Sequence, residues 1–264
     1  MTKDLKNKVA IITGGSGFLG TQFCKTLAEN GCLVINIDKK KNLSFERIIR
    51  ANKLNIKFLK CNITKEKDLL ETRNKILKSF KKIDILINNA CNDYMPNKKN
   101  IKKLKLESLS NNVWQNDIDV GLTGSFLCTK IFGQTMIKQK KGVILNISSD
   151  LGIISPNQNL YKVKGKEVSI KPVTYSIIKH AIIGLTKYTA TNWAEHNIRC
   201  NAICPGGMFN NQDKNFLKKI KNLIPMNRMA KFKEFNSSIV YLVSDASSYV
   251  NGHSLVIDGG RSIW

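Results

Sequence analysis

The sequence predicts an α/β fold: one domain built on a doubly wound parallel sheet with helices on both faces. Three observations predict it. Short β-branched runs alternate with helix-length amphipathic runs along all 264 residues, the pattern of a parallel sheet whose crossovers are helices. The first strand-like run ends directly on a glycine-rich turn that opens a helix. The length suffices for one buried core, and no Pro/Gly/Ser linker or internal repeat divides it, so residues 1–264 are read as a single domain.

The elements follow in order. Residues 9–13 (VAIIT) form a strand, and Gly14-Gly15-Ser16-Gly17-Phe18-Leu19-Gly20 turns into a helix with apolar positions at Phe18, Leu19, Phe23, Leu27 and Ala28. That helix ends near Asn30-Gly31, a C-cap signal. A second strand, 32–37, ends on Asp38. Further strands are expected near 57–60, 84–88, 143–148, 198–203 and 254–257, and helices over 65–81, 114–138, 174–195 and 233–244.

The opening strand–turn–helix–strand suits a dinucleotide. Glycines let the backbone approach a pyrophosphate, whose charge rests on the helix N-terminus. Gly14, Ser16, Gly17, Phe18, Leu19 and Gly20 are the turn residues of this Rossmann-type unit. Asp38, about twenty residues on, is placed to accept hydrogen bonds from the adenosine ribose hydroxyls. A carboxylate there repels a 2′-phosphate and Ser16 brings no cation, so NAD is favoured over NADP; Lys39, Lys40 and Lys41 pull the other way.

Tyr175 and Lys179 are four residues apart on a predicted helix, so they share one face. An ammonium beside a phenol favours the phenolate and equips the tyrosine for proton exchange. Ser148-Ser149 upstream offers a hydroxyl to hold a substrate oxygen.

Taken together, the Thr13-to-Gly20 turn, Asn88-Asn89-Ala90, Asn146-Ile147-Ser148-Ser149, Tyr175/Lys179, Pro205-Gly206 and Ile257-Asp258-Gly259-Gly260 resemble the short-chain dehydrogenase/reductase family from Lys8 to Gly260. The tail from Ser244 to Trp264 resembles members of bacterial surface-carbohydrate pathways, such as sialic-acid-like sugar synthesis and flagellin glycosylation. The resemblance implies Ser149 as the substrate-orienting serine, Tyr175 as general acid/base and Lys179 as the residue that holds the nicotinamide ribose. It implies Asn89 and Ala90 lining the cofactor cleft, Asn62 and Ile63 flanking the adenine, and Pro205 and Gly206 beside the nicotinamide. Four positions depart from the family pattern. Phe18 stands where the commonest single-domain members have glycine, Asn62 where an aspartate is usual and Cys91 where a glycine follows Asn-Asn-Ala. Gly121 occupies the place of the family's catalytic asparagine, whose water its carbonyl would have to hold.

Composition narrows the partners. The formal charge is +24, and 37 of the 43 cationic residues are lysine. Lys, Asn and Ile codons are A/T-rich, so this excess reflects base composition; nucleic-acid readers favour arginine forks and clustered aromatics. A general attraction for anionic small molecules follows. Seven cysteines without metal spacing read as buried free thiols, and no metal site is expected. With no membrane-spanning apolar run or signal core, a cytoplasmic location is expected. The family resemblance implies a homodimer or homotetramer built through the long helices at 114–138 and 174–195.

Two stretches look inserted at the substrate mouth, 92–110 and 153–173, and 207–224 reads as a lid. The first carries Lys98, Lys99, Lys102, Lys103 and Lys105, the second Tyr161, Lys162, Lys164, Lys166 and Lys171. They are expected to receive an anionic sugar phosphate or nucleotide sugar. The function expected is NAD(P)-dependent oxidation or reduction of a secondary alcohol or ketone, in surface polysaccharide or glycan biosynthesis. The alternatives are a 3-oxoacyl-carrier-protein-type reductase and a catalytically impaired nucleotide-binding subunit.

Overall fold

Seven of the apolar runs pair into one sheet in the computed structural model, which describes residues 3–92 and 101–264. The strands are β1 (Val9–Thr13), β2 (Leu33–Asp38), β3 (Ile56–Lys60), β4 (Ile85–Asn88) and β5 (Gly142–Ile147). A two-residue hairpin follows, β6 (Lys162–Val163) with β7 (Lys166–Glu167), then β8 (Ile198–Pro205) and β9 (Ser254–Ile257). The sheet order is β3-β2-β1-β4-β5-β8-β9, and every pair in it is parallel. β1 and β4 are buried at every residue, as expected of central strands covered on both faces.

The helices are α1 (Phe18–Glu29), α2 (Leu43–Ala51), α3 (Glu66–Phe80), α4 (Ile101–Leu104), α5 (Asn111–Ile118), α6 (Gly124–Gln139), α7 (Val173–Asn192), α8 (Lys214–Lys221) and α9 (Asn236–Val243). On one face Phe23 and Leu27 of α1, Phe45 of α2 and Ile239 of α9 pack against the sheet. On the other, Leu69 and Ile76 of α3 and Ile131 and Phe132 of α6 do so. The order reverses between β1 and β4, and the crevice beyond their carboxyl ends is where such sheets bind ligands.

Among the differences from expectation, three concern helices that flank the sheet. The helix expected over 114–138 starts at Asn111, where the Ser110 hydroxyl accepts from the Val113 N–H at 3.4 Å, and it is interrupted by a π turn, Asp119–Thr123. π turns carry an extra residue within a helix and are frequent at functional sites. α2 was not expected: Asn42 caps it, accepting from the Phe45 N–H at 3.0 Å, and Phe45 and Ile49 supply its buried face. The start of the 233–244 helix is a 3₁₀ turn, Phe232–Phe235. No helix among the described residues is long and apolar enough to cross a membrane.

Six of the seven free cysteines are buried, and Cys91 is half-buried. Burial pushes the Cys32 and Cys200 thiols up to about 12.

Candidate active site

The glycine turn is shaped by contacts that exclude side chains. Gly14 has a φ of 62°, and a Cβ on it would lie 2.9 Å from the Ala90 Cα; one on Gly20 would lie 2.1 Å from the Gly14 carbonyl. Gly17 precedes α1 and makes no side-chain cap bond, so the first-turn N–H groups of Phe18, Leu19 and Gly20 remain for an anion. This cradle fits a dinucleotide pyrophosphate. Thr13 fixes its far wall: its Oγ1 accepts from the Asn89 N–H (2.9 Å) and the Ala90 N–H (3.0 Å). The Asn89 side chain donates to the Thr13 carbonyl at 2.9 Å.

Asp38 at the end of β2 accepts from the Ser16 N–H at 3.1 Å and the Lys40 N–H at 3.3 Å. A carboxylate offers about four acceptor positions, so it can still accept from ribose hydroxyls. Lys41 is paired with Glu46 at 2.9 Å. Asn62 and Ile63 follow β3. Asn62 Oδ1 accepts from the Thr64 N–H and hydroxyl, and the Ile63 side chain is buried in the core, where a Cβ on Gly124 would meet its Cδ1 at 2.6 Å. A cofactor contact from Ile63 is therefore a backbone contact. Phe18 is half exposed, with its ring edge-on to Phe232 at 4.2 Å.

The helix that carries Tyr175 and Lys179, α7, docks on the 3₁₀ turn Asp150–Gly152, which follows Ser149 and the end of β5. Ser148 donates to the Lys179 carbonyl at 2.7 Å, and Ser176 donates to the Leu151 carbonyl at 3.2 Å. A Cβ on Gly152 would lie 2.4 Å from Ser148 Oγ, so glycine is needed where the helix crosses. Ser148 thus serves in docking, while Ser149 Oγ bonds within its own turn, to Asp150 Oδ1 and the Leu151 N–H. Lys179 is buried; its Nζ donates to the Ile147 carbonyl at 2.8 Å and lies 5.5 Å from the Tyr175 ring centre. Beneath them Asn88 donates to Asn146 at 2.8 Å, and Asn146 to Thr186 at 2.9 Å, bonding the β4 and β5 ends to α7. Pro205 ends β8 and Gly206 follows it, its N–H donating to the Ile257 carbonyl at 2.8 Å.

Gly121 lies inside the π turn. A Cβ there would meet Ile178 at 2.8 Å, so Ile178 fills the space an asparagine side chain would need. The Gly121 carbonyl already accepts from Ser125 Oγ at 3.0 Å. The expected water-holding role of that carbonyl therefore has a competitor inside the helix.

Several functional neighbours had no sequence signal. Asp150 Oδ2 and Arg261 form a buried ion pair at 2.6 Å, joining the serine turn to the chain's last residues. Asp117 is buried and accepts from Thr174 Oγ1 at 2.6 Å and Asn92 Nδ2 at 3.1 Å, which pins the start of α7 one residue before Tyr175. Gln158 clamps the Lys171 backbone from both sides (2.8 and 3.1 Å), and the Lys171 Nζ lies 3.7 Å from the Tyr175 ring centre. Of the rim lysines, Lys164 and Lys166 are exposed on the hairpin, Lys105 pairs with Glu167, and Lys98 and Lys99 lie outside the described residues. The 153–173 and 207–224 stretches join in one small cluster, Leu160 with Ile220, Ile224 and Met229. No group of three metal-ligating side chains occurs among the described residues.

Residues 16–262 match the family model described as enoyl-(acyl carrier protein) reductase. The chain is 30% identical to the NAD-dependent glycerol dehydrogenase of Listeria innocua, over 98% of this chain and 96% of that protein. It is 30% identical to the 2-dehydro-3-deoxy-D-gluconate 5-dehydrogenase of Bacillus subtilis, over 97% of this chain and 95% of that one. Among solved structures, a short chain dehydrogenase from Leptospira borgpetersenii with bound NAD+ superposes with a TM-score of 0.84 at 28% identity, covering 98% of this chain and 94% of that one.

Proposed function

The chain belongs to the short-chain dehydrogenase/reductase family, and from that premise we propose that it is an NAD-dependent oxidoreductase of a secondary alcohol or ketone. The substrate in this reading is a small anionic polyol derivative, a sugar phosphate or nucleotide sugar used in surface polysaccharide or glycan biosynthesis. The observation that supports the reading is the docking of α7, the helix of Tyr175 and Lys179, on the turn that follows Ser149 at the carboxyl end of β5.

The residues divide the work. The turn from Gly14 to Gly20 and the α1 N-terminus would hold the pyrophosphate, Asp38 the adenosine ribose and Lys179 the nicotinamide ribose. A bound nicotinamide supplies or removes the hydride at the reacting carbon. Tyr175 takes the hydroxyl proton at its phenolic oxygen during oxidation and returns it during reduction, a role general acid/base groups fill at about 10²–10⁴-fold in rate. Lys171 and Lys179 flank the ring as two cations, and a nearby positive charge favours the phenolate.

The cofactor preference is supported by Asp38 bonded into the Ser16 turn and by Lys41 held on Glu46. The names of the relatives, a glycerol dehydrogenase and a sugar-acid dehydrogenase, support a polyhydroxylated substrate. The family model's description keeps an acyl-carrier-protein reductase as the second reading; NADPH preference would favour it, and Asp38 speaks against it. A catalytically impaired subunit rests on Gly121 alone. Exposed apolar side chains on α5, α6 and α7 (Trp114, Phe126, Ile177, Tyr188) support assembly through those helices as a homodimer or homotetramer. The location proposed is cytoplasmic.

The test is a screen of sugar phosphates, nucleotide sugars and sugar acids with NAD and NADP, following reduced-nicotinamide absorbance. Turnover of a polyol derivative with NAD is expected. Turnover of acyl thioester ketones alone, with NADPH, would contradict the proposal and install the second reading.

A further inference from the structure

Ser149 has one hydroxyl hydrogen and two lone pairs. All but one of these valences are committed. Its Oγ lies 2.8 Å from Asp150 Oδ1, and the Leu151 N–H, shared with Asp150 Oδ1 at 2.8 Å, donates to it at 3.1 Å. Asp150, as the carboxylate of an ion pair, has no hydrogen to give. The serine hydrogen is therefore the one in that bond, and a single lone pair is left for a substrate.

What enforces this is buried. The Asp150 and Arg261 side chains are 3% and 7% exposed, and Arg261 Nη1 donates to Asp150 Oδ2 at 2.6 Å. A guanidinium has donors only, so it demands an acceptor at that position. Arg261 is itself placed by the tight turn before it. There Asp258 accepts from the Gly260 N–H at 2.9 Å and the Ser262 N–H at 2.8 Å, and Gly259 and Gly260 have φ values of 68° and 90°. The last residues of the chain thereby set the hydrogen-bond polarity of a hydroxyl 112 positions upstream.

We propose that Asp150 and Arg261 are positioning residues that turn Ser149 into a hydrogen-bond acceptor toward its substrate. The site then holds the alcohol, which can donate its O–H, in preference to the ketone, which cannot. This deepens the oxidoreductase reading and rests on it.

Asp150→Asn supplies the reversal. The buried Arg261 cation requires an oxygen on its side and outweighs the neutral Leu151 N–H, which donates to Asp150 Oδ1 at 2.8 Å and would keep Ser149 Oγ as its acceptor, so the amide turns its Nδ2 toward Ser149. The serine then accepts from Asn, and its hydrogen is freed toward the substrate. The measurements are calorimetric affinities of matched pairs in non-reacting complexes. Glycerol and gluconate are titrated into enzyme with reduced cofactor, and dihydroxyacetone and 5-ketogluconate into enzyme with oxidised cofactor. D150N is expected to weaken the alcohols and tighten the ketones, each by about three- to tenfold, the worth of one neutral hydrogen bond. R261K, which keeps a donor, should behave as wild type with Asp150. D150N combined with R261M frees the amide to flip and should fall between wild type and D150N. A merely structural role for Asp150 would weaken both members of each pair together. That result, no change in either, or no wild-type binding of any alcohol in the panel would overturn the proposal. Failure of the protein to take up NAD or NADP at all would instead remove the oxidoreductase reading beneath it.

Discussion

The two halves of the crevice are built by different means. The nucleotide half, from β1 to β4, is made of backbone: glycines that admit no Cβ, an open helix N-terminus and one carboxylate at a strand end. The substrate half, beyond β5 and β8, is made of side-chain pairs from distant segments: Asp150 with Arg261, Gln158 with Lys171, Leu160 with Ile220. A backbone cradle of this kind tolerates almost no substitution at Gly14 or Gly20. A side-chain rim can be rewritten pair by pair.

The contrast can be broken most sharply at Gly20. A Val side chain there would drive its Cβ toward the Gly14 carbonyl, so G20V should abolish measurable cofactor binding, read by nicotinamide fluorescence. Retained binding would show that the turn is not the cradle. A smaller effect is expected at Asp38. D38A should lower the NAD-over-NADP preference by about tenfold, roughly the worth of one hydrogen bond to a charged group, measured as the ratio of Kd values. An unchanged ratio would separate Asp38 from the ribose.

On the rim, the structure ranks the lysines. K171M should raise KM for an anionic substrate by about five- to tenfold, while the double neutralisation of the exposed Lys164 and Lys166 should raise it by about twofold or less, since exposed charges are screened. A larger effect from the hairpin than from Lys171 would reverse the ranking. The smallest expectation concerns pH. Cys32 and Cys200 stay neutral when folded, burial raising both from 9.0 to about 12, whereas in the unfolded chain they ionise near the ordinary value. Their contribution is therefore fully present below pH 9 and lost as pH rises from 9 to 12. Tm should fall across that window, with a shallower slope in the C32A/C200A double variant.

The same division explains what the sequence made legible. Alternating runs and the spacing from Gly14 to Asp38 are local, so the sheet and its glycine turn could be read from neighbouring residues. Tyr175 and Lys179 are joined by helical period, which is also local. Arg261 carries no such mark: it reaches Asp150 only because β9 lies beside β8 and the turn at Asp258 folds back. Ile178, which fills the space above Gly121, could be found only once α7 was laid across the π turn. α2 was missed because its nine residues hold only two buried apolar positions, Phe45 and Ile49.

The central claim is that a phenol at position 175 moves the substrate proton beside a bound nicotinamide. Tyr175→Phe tests it most directly, with NAD affinity and turnover measured on the same preparation. The account predicts NAD affinity within about threefold of wild type and turnover lower by at least about a hundredfold, the lower end of a general acid/base contribution. Turnover equal to wild type, or a wild-type protein that takes up neither NAD nor NADP, would contradict it.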